Sequence, residues 1–76
     1  MIEEVKEIIA KVLKIDIRAV DSIIKEEEFS SFDSLQFLNF VIELESKFKI
    51  SIEPEEIESI NNFDKVINII KSKTNQ

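Results

Sequence analysis

The stretch SSFDSLQFLNF, residues 30–40, is a short polar step that opens into a run of large apolar side chains. Asp33 is a favoured N-cap residue, and Gln36 three positions later completes a capping box. Phe32 before the cap and Phe37 in the first turn have the spacing of a hydrophobic staple. Together they predict a helix that begins at Ser34. They also account for Asp33–Gln36 as a helix start, with no chemistry required of it.

The helical pattern continues to residue 48. At 100° per residue, Leu35, Phe37, Leu38, Phe40, Val41, Ile42, Leu44 and Phe48 cover more than half the circumference. That is the pattern of a central helix contacted from several sides. Gln36, Asn39, Glu43, Ser46 and Lys47 form its polar stripe. Phe37 and Phe40 read as core packing, and Glu45 falls inside the apolar arc, where an ion pair at the edge would accommodate it.

Three further helices are expected around this one. Over residues 2–13, Ile2, Val5, Ile8, Ile9, Val12 and Leu13 recur at spacings of three and four, opposite Glu3, Glu4, Lys6, Glu7 and Lys11. Glu7 and Lys11 stand at i, i+4 and can pair. Pro54 suits a first helical turn, with Glu55 and Glu56 at the positive end of the helix, which predicts a short helix over 54–60. Asn61-Asn62 reads as a break able to take left-handed geometry. Phe63, Val66, Ile67, Ile69 and Ile70 define a last helix over 63–73, with Lys71 and Lys73 near its C-terminus. Residues 74–76 are expected to fray.

Residues 14–32 have no sustained period and read as a long loop with apolar anchors at Ile15, Ile17, Val20, Ile23 and Ile24, in which Glu26-Glu27-Glu28 is solvated. Residues 49–53 alternate like a strand but are too short to form one alone. The expected fold is a single all-α domain over residues 1–76, a small four-helix bundle of three main helices, one short helix and a long first loop. Leu13, Leu38, Val41, Phe48, Ile57, Val66 and Ile70 are its expected core residues.

Absent residue types narrow the function. The 76-residue chain has no Cys, no His and no Gly. That removes thiolate nucleophiles, zinc–thiolate sites, His-based triads, phosphate-binding loops and dinucleotide fingerprints. An enzyme would have to work with carboxylates, Lys or Ser alone, which argues against one, and no metal site is expected. The net charge of −6 argues against nucleic acid and against anionic membrane surfaces as partners. Met1-Ile2-Glu3-Glu4 opens neither a signal peptide nor a membrane span, so a cytoplasmic monomer is expected.

Around Ser34 the sequence resembles the acyl carrier protein family, whose relatives include peptidyl carrier domains. The residues that carry the resemblance are Asp33-Ser34-Leu35 opening a helix, Leu44-Glu45 and Phe48 closing it, Ile50 and Ile52 after it, then Pro54-Glu55-Glu56 and Phe63-Asp64. Two positions before Asp33, where the family usually has Gly, this chain has Ser31. The resemblance implies that a separate phosphopantetheinyl transferase attaches a phosphopantetheine arm from coenzyme A to Ser34. It also implies that the arm's thiol holds acyl or aminoacyl cargo as a thioester, in fatty-acid, polyketide or nonribosomal peptide biosynthesis. Asp33 and Leu35 belong to the attachment motif, with Asp33 helping to orient the transferase or its metal. Loading and condensing enzymes are expected to dock on the stripe Gln36, Asn39, Glu43 and Lys47. The alternative from another class is an unmodified helical interaction domain of the same fold.

Overall fold

Amphipathic periodicity produces helices where it is sustained. The computed structural model, which describes residues 1–74, contains α1 (Ile2–Leu13), a 3₁₀ turn (Ile17–Ala19), α2 (Val20–Ile24), α3 (Ser34–Phe48), α4 (Pro54–Ser59) and α5 (Phe63–Thr74). No strand is present among the described residues, and 49–53 is an unpaired connection.

The chain has no glycine to end its helices, and lysine takes that place twice. Lys14 (φ 58°, ψ 47°) ends α1 and Lys49 (φ 56°, ψ 50°) ends α3, both in left-handed geometry. Each donates its backbone N–H back into the helix, to Ala10 O and Glu45 O. The next residue in each case, Ile15 or Ile50, donates to the same carbonyl at 3.0 and 3.1 Å. Both isoleucines then pack against the core, the apolar contact that accompanies this type of helix end.

The core is continuous. Val5, Ile8 and Ile9 of α1 meet Val20 and Ile23 of α2, Phe40, Val41 and Leu44 of α3, and Phe63, Val66, Ile67 and Ile70 of α5; Ile52 and Ile60 close it from the connections. α1 packs directly along α3. No polar or charged residue is buried among the described residues.

Several expectations are corrected. The loop over 14–32 contains the 3₁₀ turn and α2. Asp16 starts the turn, accepting from Arg18 N at 2.8 Å and from its guanidinium at 3.0 and 2.9 Å. That contact lowers the Asp16 pKa. Ile17 is exposed and anchors nothing. Leu38, expected in the core, is 50% exposed, and Leu35 and Ile42 are 67% and 52% exposed, so α3 is contacted on one side only. Val41, Val66 and Ile70 are buried as expected, while Leu13, Phe48 and Ile57 pack partly buried at the core's edge. Lys11 pairs with Glu43 of α3 at 3.2 Å instead of with Glu7. Asn61 and Asn62 are not left-handed; among the described residues only Lys14 and Lys49 have positive φ. Thr74 does not fray: it is helical, and its Oγ1 donates to Ile70 O at 2.8 Å. Asn75 and Gln76 lie outside the described residues.

Glu45 also differs from expectation. Its Oε2 accepts from Ile52 N at 2.9 Å, so this carboxylate, facing the apolar arc, fastens the 49–53 connection to α3.

Candidate functional site: the N-terminus of α3

The helix start read from the sequence is present in full. Asp33 Oδ1 accepts from Gln36 N at 2.7 Å, and Gln36 Oε1 accepts from Asp33 N at 3.0 Å. The Phe32 and Phe37 rings meet edge to face with centroids 6.0 Å apart, which completes the staple. Phe37 N donates to Asp33 O at 2.9 Å. The amides of Ser34 and Leu35 come too early in the helix to have an intrahelical acceptor. They stand at its positive end, where an anion is favoured.

Ser34 is the first residue of α3 and is exposed, as are Asp33 and Leu35. Below it lies an aromatic cluster. Phe32 stacks on Phe40 with centroids 5.0 Å apart, and Phe29 meets both edge to face at 5.1 and 6.2 Å. Phe40 is fully buried, so its reading as core packing holds. An open cleft of about 270 Å³ runs beside Ser34, lined by Phe29, Phe32, Asp33, Phe37, Ile60 and Asn61. Asn61 Oδ1 is buried there without a hydrogen-bond partner. A larger hollow of about 430 Å³, lined by Lys25, Glu26, Glu27 and Asp64 among others, shares no residue with this cleft.

The approach to Ser34 is built by a residue that sequence reasoning left in solvent. Glu26 accepts from Ser30 N at 3.1 Å, Ser30 Oγ at 3.3 Å and Ser31 Oγ at 2.8 Å. Desolvation raises the Glu26 pKa, but the bonds from Ser30 and Ser31 together outweigh it and hold the carboxyl below its ordinary value. Ser31 has negative φ, so the backbone here does not need the glycine usual in the family. The only available signal was a carboxylate four and five residues before a serine pair, a local pattern too common to single out. Two longer ties hold the same segment: Phe29 N donates to Asn61 O at 2.6 Å, and Asn62 Nδ2 to Glu27 O at 3.2 Å. Asn62 Oδ1 also caps α5 through Lys65 N at 3.0 Å.

Of the residues expected to dock partners, Gln36 is engaged in the capping box, Glu43 with Lys11, and Lys47 with Glu4 at 3.6 Å. Asn39 is exposed. No group of His, Cys, Asp and Glu able to hold a metal occurs among the described residues, and no described helix is long and apolar enough to cross a membrane.

The family model described as the phosphopantetheine attachment site matches residues 3–70. The acyl carrier protein of Petrotoga mobilis (strain DSM 10674 / SJ95) is 32% identical over 78 residues, an alignment that covers 99% of this chain and 88% of that protein. Matched over this much of its length, and folded as a small bundle with a capped helix start at Asp33-Ser34-Leu35, the chain belongs to the acyl carrier protein family, whose members carry phosphopantetheine and are not themselves enzymes.

Proposed function

We propose that Ser34 is the attachment point, and that the chain carries acyl or aminoacyl groups as thioesters on a phosphopantetheine arm. The observation that carries this reading is an exposed serine hydroxyl at the start of a fifteen-residue helix whose cap is complete without it. In the loading step the Ser34 O–H bond breaks and its oxygen bonds to the phosphorus that bears the pantetheine in coenzyme A. The bond from that phosphorus to the bridging oxygen breaks, adenosine bisphosphate leaves, and the proton passes to the transferase. This chain supplies the oxygen and its placement. The Ser34 and Leu35 amides and the helix dipole favour the resulting phosphodiester anion. The arm supplies the reactive thiol, which suits a chain with neither Cys nor His. Asp33 fixes the turn and helps to orient the transferase or its metal.

The enzymes served are those that load and condense acyl or aminoacyl groups in fatty-acid, polyketide or nonribosomal peptide synthesis, and they approach along α3, past Gln36, Asn39, Glu43 and Lys47. The protein works as a monomer in the cytoplasm. Wild type and Ser34→Ala are to be incubated with coenzyme A and a broad-range phosphopantetheinyl transferase, then weighed intact. Wild type should gain one phosphopantetheine and Ser34→Ala none. The substitution should leave stability nearly unchanged, because Asp33 still caps and Ala is a good helix former. A wild type that gains no mass, or a mutant that gains the same mass, returns Asp33–Gln36 to a plain capping box and the chain to an unmodified interaction domain.

A further inference from the structure

Residues 25–33 join α2 to α3 with no helix of their own. Three serines stand at the end of this connection, Ser30, Ser31 and Ser34, and their hydroxyls differ in what they touch. Those of Ser30 and Ser31 both donate to Glu26 Oε2, at 3.3 and 2.8 Å, and Ser30 N donates to Glu26 Oε1 at 3.1 Å. The Ser34 hydroxyl bonds to no described residue. Through its side chain, Glu26 closes residues 26–31 into a ring. The ring is pinned to the α4–α5 junction where Phe29 N donates to Asn61 O and Asn62 Nδ2 donates to Glu27 O. Glycine, usual in the family at the position of Ser31, has no hydroxyl for the shortest of these bonds, so the tether belongs to this chain.

We infer that Glu26 is a positioning residue for the loading of Ser34: acting through Ser30 and Ser31, its carboxylate holds the segment before the cap folded back, so that the Ser34 hydroxyl stands clear. The inference rests on the assignment of Ser34 as the attachment point. From Ser31 to Ser34 is at most about 11 Å of extended chain. A segment released at Ser30 and Ser31 can therefore swing across the hydroxyl. Phe32 and Asp33 hold it only at its helix end, through the stack on Phe40 and the capping box. Molecules with a covered Ser34 cannot be loaded, and apparent affinity falls with the fraction that is competent. The loss then lies in KM, while molecules that do bind are loaded at the normal kcat. The role needs the hydrogen bonds and not the charge. A glutamine side chain can make the same contacts, its Oε1 accepting from Ser30 N and its Nε2 donating to the serine oxygens.

The test uses the whole chain, the same broad-range transferase and coenzyme A, and measures loading rates by intact mass. Glu26→Ala should raise KM about fivefold or more at nearly unchanged kcat. Ser31→Ala should raise it severalfold, and Glu26→Gln should keep it within about twofold of wild type. Glu26→Ala/Ser31→Ala should load no more slowly than Glu26→Ala alone, because both changes cut one tether. In the free protein, NMR relaxation should show backbone order lost at residues 29–32 of Glu26→Ala and kept in α1 and α5. A Glu26→Ala variant with KM within twofold of wild type overturns the inference. So does a Glu26→Gln variant as impaired as Glu26→Ala, which would make Glu26 a charge that the enzyme reads. Additive losses in the double variant, or unchanged order at residues 29–32, overturn it as well. Each of these results leaves the carrier reading intact. A wild type that is never loaded removes the carrier reading, and this inference with it.

Discussion

Glu26 organises the approach to Ser34 through three hydrogen bonds, all from Ser30 and Ser31. Its carboxyl titrates below the ordinary value of 4.5, so the folded state favours the charged form. The linked stability is therefore fully present above that ordinary value and is lost as pH falls through the lower folded one. In a titration followed by NMR, the Ser30 and Ser31 amides of wild type should shift with a midpoint below 4.5. In Glu26→Gln that transition should vanish. A midpoint at or above the ordinary glutamate value in wild type would mean that the serines do not hold the charge. Little of this was legible in advance: a glutamate in an acidic run looks solvated until the fold turns the chain back on it. Asp33 and Gln36 were legible because a capping box is a local bargain between neighbours and needs no tertiary contact.

Sustained periods made α1, α3 and α5 readable nearly to the residue, and α4 was readable from Pro54 in its first turn with Glu55 and Glu56 at its positive end. α2 was not, because the five residues Val20–Ile24 span little more than one turn and cannot display a helical period. The exposed side of α3 was hidden for the opposite reason. When apolar residues cover more than half a helix, the pattern cannot say which part faces the core, and here Leu35, Leu38 and Ile42 face out. The ends of α1 and α3 offer an independent check on the backbone. A non-glycine residue in left-handed geometry costs about 1 kcal/mol, and glycine takes that geometry freely. Lys14→Gly and Lys49→Gly should each stabilise the domain by about 0.5–1 kcal/mol, a rise of several degrees in Tm for a domain of this size. Lys14→Ala and Lys49→Ala should show no such gain. If the glycine variants melt no higher than the alanine variants, these two ends are not held in the left-handed region.

For the whole molecule, the helical bundle was legible because every long apolar segment asks for the same burial. The radius of gyration is 11.4 Å, about the value a fully folded chain of 76 residues gives. What the sequence could not reveal were the ties that join distant segments, since the hydrogen bonds from Phe29 to Asn61 and from Asn62 to Glu27 depend on how the bundle closes. These ties have a consequence for exchange with solvent. Phe29 lies outside every helix, yet its amide proton should be replaced by deuterium about as slowly as amides of the core helices, because opening that bond means parting the segment before Ser34 from the α4–α5 junction. Asn62→Asp keeps an acceptor for Lys65 N but loses the donor to Glu27 O. Deuterium uptake at Phe29 should then rise by an order of magnitude while Lys65 stays slow. The two regions would share one opening event in wild type and two in the variant, so whatever pulls at α4 in the native protein is felt at the serine.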